Sequence, residues 1–560
     1  MTFNKVVFDI ETTMTADKIW CIVCKHNDTY YQFREDNLHR FEEFIKQTEE
    51  VIGHNIIGFD IPVVNKIFGY DLFAHCKKTD TLILSRLLNP MIEGGHSLKN
   101  WGTKLGQAKI PFEQFDFFTE EMLTYCRNDV ELTDRLYKFL INKTKDFGQS
   151  IDLEHKTAEI IQAQHDKGFK LNIIDAYELQ CKFQEDMNDL TSKVRETFPP
   201  LKIEEEFIPK SNNKARGYVK GVPFTKVKYK EFNLGSRQQI AERLMLLGWK
   251  PKKKTDKGHV IVDEKVLSEI HNIPEAKLIN RFLMLQKRIA QVNSWIEGIK
   301  EDGRVHGKVI TNGTITGRMS HQSPNMAQIP AVYSEYGKEC RALWIVDKGY
   351  KLVGVDAAGL ELRMLAHYMN DKDYIYEVVN GDIHTTNQIA AGLNSRDESK
   401  TFIYAFIYGA GSKKIGSIIG GSEKDGERIK EKFLKATPSL KHLREKVERI
   451  ASRRWVKGLD QRKIIIRYPH AALNTLLQGA GATVMKYALT LLQEYVSIKQ
   501  IKAFPVVNVH DEFQYEVEES RVEEFGRLAV QSIIDAGKQL NIRCPLNAKY
   551  KVGNNWSETH

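Results

Sequence analysis

The stretch FPVVNVHDEFQYEV, from Phe504 to Val517, places His510, Asp511 and Glu512 between two runs of strand-forming residues. An unpaired carboxylate costs several kcal/mol to bury, so these acids require either an exposed turn or a nearby cation. Apolar runs on both sides of a polar turn are typical of a β-hairpin. The stretch therefore predicts a hairpin with Asp511 and Glu512 at its exposed turn.

A second acid, Asp356, ends the strand-like run YKLVGVD, and helical spacing follows it in LELRMLAHYM. Carboxylates at two strand ends suit a pair of Mg²⁺ ions, which take hard oxygen ligands and promote phosphoryl transfer. We therefore hypothesise that Asp356 and Asp511 share a two-metal site. The alternative is two solvated acidic turns, which is the commoner situation for any single acidic turn.

The segment RDESKTFIYAFIYGAG repeats basic and aromatic residues at every fourth position. Arg396, Lys400 and Tyr404 then share one face of a helix, and Tyr408 follows at its end. Two cations on one face suit a triphosphate, and an aromatic ring beyond them suits stacking on a base. An ordinary amphipathic surface helix is the alternative.

Five segments resemble motifs of one enzyme family, in the family's order. DAAGLELR, RDESKTFIYAFIYGAG and VHDE look like motifs A, B and C of the family A (DNA polymerase I type) DNA polymerases. TGRMSHQSPNMAQIP, residues 316–330, and HAALNTLLQGAGA, residues 470–482, resemble two further family segments that contact primer and template. Five matches in order are far more specific than any one of them. The resemblance implies a right-hand polymerase (palm, fingers and thumb) that extends a primer with dNTPs.

The resemblance also implies a role for each matching side chain. Asp356 and Asp511 would hold two Mg²⁺ ions at the polymerase site, with Glu512 in support. The nucleotide would be bound by His384, Arg396 and Lys400 at the triphosphate, Tyr404 beside the sugar and base, and Glu361 near C2′. DNA would be contacted by Tyr408 at the template base and by Arg318, Asn474, Gln478 and His510 in the minor groove.

The N-terminal part carries a second acidic set. Asp9 and Glu11 in FDIET lie two apart on a strand and so face the same side, Asp60 follows in GHNIIGFD, and Tyr125 and Asp129 form YCRND. These residues resemble the DEDDy set of proofreading 3′-to-5′ exonucleases, in which four carboxylates hold two metals and a tyrosine orients water. DTLILSRLL and SLKNWGTKLG are similar to the same domain in replicative polymerases of short-tailed bacteriophages. The resemblance implies two further Mg²⁺ ions here, with Mn²⁺ as a substitute at either site.

Strand-like and helical runs alternate up to about residue 145, which predicts an α/β domain around a mixed sheet. Helical spacing from Asp152 to Phe198 is interpreted as the start of a new unit. The expected fold class is α/β and α+β multidomain, with an RNase H-like exonuclease followed by the polymerase. The expected domains are the exonuclease at 1–150, the thumb at 151–300, the palm at 301–370 and 471–560, and the fingers at 371–470.

Residues 202–231 are rich in lysine, contain Gly and Pro, and lack a helical period, which predicts an exposed loop or a small ribbon. Phage relatives carry a longer insertion at the matching place that recruits host thioredoxin, so the short segment argues against thioredoxin as a partner. A loop that slides along duplex phosphates and a purely solvated loop both stay open. Primer-template DNA and dNTPs are the expected ligands, and a replicative helicase is a candidate partner.

Composition is consistent with a cytoplasmic enzyme of several domains. The chain has 560 residues, a formal net charge of +9 and no apolar run of membrane-spanning length, and its N-terminus lacks the features of a signal peptide. Seven scattered cysteines favour free thiols in a reducing compartment, the host cytoplasm if a phage encodes the protein. The expected role is replication of a phage genome.

Two competing functions are open to test. A single-subunit RNA polymerase would share the palm and part of motif B, but Glu361 as a ribose gate and a proofreading nuclease favour DNA synthesis. A non-catalytic DNA-binding protein should have lost some metal carboxylates. All six are present: Asp9, Glu11, Asp60, Asp129, Asp356 and Asp511.

Overall fold

A mixed five-stranded sheet organises the N-terminal region of the computed structural model, which describes residues 3–560. Its order is Thr29–Arg34, Ile19–His26, Val6–Thr12, Glu50–Gly53 and Lys77–Asp80. The first three strands pair antiparallel, and the last two join them in parallel. The predicted α/β domain around a mixed sheet is confirmed.

Side-chain alternation along Val6–Thr12 supplies a core on each face of this sheet. Phe8 packs into one cluster with Phe41 and Phe73, whereas Val7 packs into another with Met122 and other residues. The helices of this region are Leu38–Ile45, Asp60–Phe68, Thr81–Leu88, Leu98–Leu105, Glu120–Thr144 and Ser150–Lys167. The last of these is called the linking helix below.

Two helices, Ser150–Lys167 and Ile173–Thr197, account for the helical spacing from Asp152 to Phe198. Gly168 adopts a left-handed φ of 65°, which ends the linking helix, and the short strand Phe169–Leu171 follows before the next helix begins. The linking helix lies in the first compact unit, which runs to Lys170 and includes His306–His560. The second compact unit begins at Leu171 rather than near residue 151.

The second unit, Leu171–Val305, has its own apolar core. Its helices are Ile173–Thr197, Arg237–Leu246, Glu264–Ser268 and Glu275–Glu297, and its strands include Leu201–Phe207, Phe224–Lys230 and Arg304–Val305. Leu201–Phe207 and Phe224–Lys230 pair antiparallel with no buried residue, so the small-ribbon interpretation of residues 202–231 is confirmed. Ser236 caps the following helix by accepting a hydrogen bond from Gln239 N at 3.3 Å.

A four-stranded antiparallel sheet organises the C-terminal region, in the order Ala503–Val509, Glu512–Glu518, Tyr350–Ala357 and Ala548–Gly553. The first two strands form the predicted hairpin, called the acidic hairpin below. The long helix Ala472–Lys499, called the central helix, is buried along most of its length in the same core. This core holds the strands of the hairpin in place, and the turn lies at their ends.

The remaining elements complete the first unit. Its other helices are Gly337–Ala342, Leu360–Met369, Lys372–Asn380, Ile383–Ala391, Arg396–Ile407, Ser412–Ile418, Glu423–Ala436, Pro438–Ala451 and Val522–Gln539. Its short strands are Lys308–Ile310, Ser320–Gln322, Trp344–Ile345, Trp455–Lys457 and Lys463–Ile465. All seven cysteines are free thiols, as predicted. None of the helices within residues 3–560 combines the length and apolar composition needed to cross a bilayer.

Candidate active sites

Strand pairing brings Asp356 and Asp511 together at one end of the strands of the four-stranded sheet. Asp356 lies near the end of Tyr350–Ala357 and is the cross-strand partner of Glu512, the first residue of the hairpin's second strand. Ala357 N donates a 3.1 Å hydrogen bond to the Asp511 carbonyl oxygen. The two aspartates, far apart in sequence, are therefore neighbours in space.

The turn of the acidic hairpin consists of His510 and Asp511 alone, because its strands end at Val509 and begin again at Glu512. His510 has a left-handed φ of 55°, which a two-residue hairpin turn requires at its first position when the turn is of the primed type. His510 is exposed and Asp511 is half-buried. The predicted position of Asp511 at the hairpin turn is confirmed, although its side chain is half-buried.

The Asp356 and Asp511 carboxylates are electrostatically suited to a cation. Partial desolvation by the surrounding protein, then repulsion from Asp511 and Glu512, raises the pKa of Asp356 to about 6. Burial likewise raises the pKa of Asp511. Neither carboxylate forms an ion pair with any basic side chain in residues 3–560. Two neighbouring acids without a protein counter-ion fit hard divalent cations.

Glu512 differs from its sequence prediction, because it is buried in a strand rather than exposed at the turn. Its carboxylate accepts hydrogen bonds from Trp556 Nε1 at 2.7 Å, Gln514 Nε2 at 2.5 Å and His560 Nδ1 at 2.8 Å. Burial acts to raise the pKa of Glu512, but these hydrogen bonds outweigh it and lower the pKa. Both oxygens are engaged, so Glu512 anchors the strand that follows the turn residue Asp511.

The helix Arg396–Ile407, called the basic helix, presents the predicted polar face. Arg396 and Lys400 are exposed, Tyr404 is half-buried, and Tyr408 caps the C-terminal end. The Arg396 guanidinium donates to both oxygens of Asp382, at 2.7 and 3.1 Å. The sequence interpretation missed Asp382, which lies within GDIHTTNQ as the N-cap of the next helix upstream.

His384 lies next to the basic helix. Ser399 Oγ donates a 2.7 Å hydrogen bond to the His384 carbonyl oxygen, and the His384 and Tyr404 ring centroids are 6.4 Å apart. The His384 backbone amide donates to Asp382 Oδ1 at 3.2 Å. Burial, followed by the nearby Arg396 cation, lowers the pKa of His384, which favours a neutral imidazole. The structure therefore groups the residues predicted to bind triphosphate.

Glu361 joins three predicted site residues in one cluster. Its Oε1 accepts a 3.0 Å hydrogen bond from Arg318 Nη2 and a 2.6 Å hydrogen bond from the Tyr408 hydroxyl. Burial, then the charges of Glu361 and Asp511, raises the pKa of Tyr404, the third residue. Glu361 thus links Arg318 to Tyr408, the residue that caps the basic helix.

Asn474 and Gln478 lie one turn apart on the central helix, and both are half-buried. Asn474 Oδ1 is buried and lacks a hydrogen-bond partner within residues 3–560. Such an amide oxygen is costly to leave unpaired and suits a ligand donor.

The four N-terminal acids also converge. Asp9 and Glu11 lie on the strand Val6–Thr12, and a ligand atom of each lies within 4.8 Å of the other and of Cys126 Sγ. Asp60 and Asp129 are buried, and both act electrostatically on Asp9 and Glu11. Cys126 was not predicted, although it belongs to the quoted YCRND.

Burial and mutual repulsion strongly disfavour four charged acids in this cluster. Burial and then the neighbouring carboxylates raise the pKa of Asp9 well above its usual range. The pKa of Glu11 rises to about 9, chiefly through burial, and burial raises that of Asp60 to about 7. Asp129 Oδ1 is buried with no hydrogen-bond partner in residues 3–560. An orphaned oxygen among four crowded acids fits divalent cations.

Lys109 is the second residue that the sequence interpretation missed here. Its Nζ lies 2.5 Å from Asp129 Oδ2 and 4.7 Å from the centroid of the Tyr125 ring. Tyr125 precedes Asp129 by one turn of the helix Glu120–Thr144. Lys109 lies in the Gly- and Pro-containing segment GQAKIPF, which has no periodic pattern, so the sequence does not predict this contact.

Comparison with known proteins identifies the family of the chain. The model of DNA polymerase family A matches residues 218–558. The chain belongs to DNA polymerase family A. It is 32% identical to the DNA-directed DNA polymerase of Enterobacteria phage T3 and 33% identical to that of Escherichia phage T7, over 99% of this chain and 100% of each relative.

A solved structure shows the same fold. The POL domain of Pol1 from M. smegmatis, in complex with DNA primer-template and dNTP, matches with a TM-score of 0.83 at 18% sequence identity, over 99% of this chain and 96% of that one. The family A protein described here is a DNA-directed DNA polymerase, as the resemblance implied. Polymerases of this family depend on divalent metal, generally Mg²⁺.

Proposed function

We propose that Asp356 and Asp511 form the polymerase active site and hold two Mg²⁺ ions between them. The observation that carries this proposal is the meeting of two mutually repelling carboxylates at the ends of paired strands, with no ion pair to a basic side chain in residues 3–560. When bound, such ions lower the pKa of an attacking hydroxyl and neutralise a leaving phosphate. The paired strands hold the carboxylates in place, and the buried Glu512 fixes the strand after the turn.

The exposed face of the basic helix binds the dNTP. Lys400 and His384 contact the triphosphate. Arg396 also contacts it, because its guanidinium leaves the Asp382 carboxylate and binds phosphate oxygens instead. Tyr404 stacks beside the sugar and base. Glu361 excludes a 2′-hydroxyl, because Arg318 and Tyr408 hold its carboxylate in place.

The DNA lies against the remaining predicted residues. Tyr408 contacts the template base, and Arg318, Asn474, Gln478 and His510 contact minor-groove acceptors at the primer end. The exposed turn at His510 supports this placement. Primer-template DNA in the complex of the M. smegmatis relative supports the same ligand here.

The N-terminal acids form a 3′-to-5′ exonuclease site. Asp9, Glu11, Asp60 and Asp129 hold two divalent cations, and Tyr125 orients the water that attacks the terminal phosphodiester. The convergence of the four carboxylates and the orphaned Asp129 Oδ1 support the assignment. The sheet around Val6–Thr12 is then the nuclease domain, and the four-stranded sheet is the palm, with the basic helix in the fingers.

Primer extension tests both sites at once. A labelled primer on a DNA template is incubated with Mg²⁺, with or without dNTPs, using wild type, Asp511→Asn and Asp9→Asn. We expect Asp511→Asn to lose extension but still to degrade the primer when dNTPs are absent. We expect Asp9→Asn to extend the primer but not to degrade it. Extension by Asp511→Asn at the wild-type rate would refute the polymerase assignment, and degradation by Asp9→Asn would refute the nuclease assignment.

We further infer that the polymerase replicates a phage genome in the cytoplasm of the host. The phage T3 and T7 relatives support this setting. A replicative helicase is a candidate partner, and the short ribbon argues against thioredoxin. Copurification from an infected host tests both partners.

A further inference from the structure

Lys109 is the one basic side chain within residues 3–560 that forms an ion pair with any of the four nuclease carboxylates. Its ammonium contacts Asp129 Oδ2 at 2.5 Å. The Lys109 side chain is one-quarter exposed, at 25%, whereas that of Asp129 is buried. The other Asp129 oxygen, Oδ1, has no partner in the same range. One oxygen of this acid is therefore paired with Lys109, and the other is buried and unpaired.

Aromatic contacts hold the segment that carries Lys109 over the site. Phe112 stacks on Tyr125 with ring centroids 5.2 Å apart, and Phe115 meets the same ring edge-on at 6.4 Å. Trp20 Nε1 donates a 2.8 Å hydrogen bond to the Phe115 carbonyl oxygen. Lys109 is thus anchored beside Asp129 by its own segment, and its flexible four-carbon stem still allows the ammonium to move.

A buried carboxylate is costly unless it is protonated, paired or bound to metal. Without metal, Asp129 is compensated by Lys109, which acts against the rise in pKa that burial imposes on Asp129. When metal is present, the Lys109 ammonium and the divalent cation compete for the same carboxylate. Like charges repel strongly in a partly buried site, so both cannot bind Asp129 fully.

We propose that Lys109 is an internal counter-ion of the nuclease site, which neutralises Asp129 in the metal-free protein and competes with the divalent cation for it. The proposal rests on the assignment of Asp129 as a metal ligand. Lys109 acts through Asp129, so it is a positioning residue rather than a catalytic one. Removal of the Lys109 charge should therefore lower the stability of the metal-free protein and raise the affinity of the site for divalent metal.

Mn²⁺ binding measures the competition directly. Isothermal titration calorimetry on the full chain, with Asp356→Asn and Asp511→Asn to silence the polymerase site, reports binding at the nuclease acids. Lys109→Met keeps the length of the stem and removes the charge, and we expect it to lower the Kd for Mn²⁺ by about tenfold. Lys109→Arg, which keeps the charge, should leave the Kd near that of the parent. A Kd for Lys109→Met that is equal to or higher than the parent value would overturn the proposal.

Thermal unfolding supplies a second readout. In EDTA, Lys109→Met should melt at a lower temperature than the parent, because Asp129 loses its counter-ion, and saturating Mn²⁺ should close the difference. A difference that persists in Mn²⁺ would mean that Lys109 has a purely structural role. Asp129→Asn separates this proposal from the nuclease assignment. If Asp129→Asn leaves Mn²⁺ binding intact, the assignment fails; if it weakens binding while Lys109→Met has no effect, only the counter-ion role fails.

Discussion

Asp356 is the residue whose charge should limit the polymerase at low pH. Its pKa is raised to about 6 from an ordinary value of 3.8. A raised acid pKa means that the charged, cation-binding form declines as the pH falls through about 6. The Mg²⁺ concentration for half-maximal nucleotide insertion should therefore rise below that pH, and excess Mg²⁺ should restore the rate. Mg²⁺ titrations on both sides of this pH measure the effect, and a pH-independent midpoint would contradict it.

Glu512 should matter for stability rather than for metal binding. Glu512→Gln puts an amide donor against the donors of Trp556 or His560, at an expected cost of about 1–3 kcal/mol in the free energy of unfolding. The pKa of Glu512 is lowered on folding, so its stabilising charge is present above 4.5 and lost as the pH falls through the folded value. The deficit should therefore shrink in acid. Glu519→Gln, at an exposed site, is the control, and equal melting of the two variants would disprove this role.

At the scale of elements, one buried ionic cluster joins the linking helix to the C-terminal region. Glu154 Oε1 accepts from Arg462 Nη1 and from Lys486 Nζ on the central helix, both at 2.6 Å, and Asp460 also pairs with Arg462. Glu154→Gln leaves two buried cations with one counter-charge, and we expect a loss of about 3–5 kcal/mol. Combining Lys486→Met with Glu154→Gln should restore part of the lost stability, because one of the two buried cations is then removed. Chemical denaturation measures both variants, and a loss below about 1 kcal/mol would count against the cluster.

The elements that carry the sites follow local periodicity, so they were predictable from sequence. The acidic hairpin follows from alternating apolar residues around a polar turn, and the basic helix follows from residues four apart. The burial of Glu512 was not predictable, because its partners Trp556 and His560 lie far along the chain. Likewise, nothing local to Lys109 indicates Asp129. Local patterns thus locate the acids, and long-range packing decides which of them stay open to a cation.

At the scale of the whole molecule, the fold class was predictable and one boundary was not. Family motifs predict a nuclease part followed by a polymerase part, and membership of DNA polymerase family A is confirmed. The linking helix and the next helix both have helical spacing, so the local signal for the boundary at Leu171 is the helix break at Gly168. The individual domain assignments stay predictions. A glycine in one break of a long helical pattern is a weak signal, because glycine also occurs within helices.

The ribbon of the second unit should bind DNA through charge without supporting the fold. Residues 202–231 contain eight Lys and Arg against four Glu, and Lys226, Lys228 and Lys230 alternate onto one face of the ribbon. Lys228 and Lys230 form exposed ion pairs, which are weak enough to yield to phosphates. Changing all three to Gln should lower the slope of log Kd against log salt for duplex DNA by about 0.9 per lost contact, with no change in melting temperature. Lys202→Gln on the opposite face is the control, and an unchanged slope in the triple variant would show that the ribbon is only solvated.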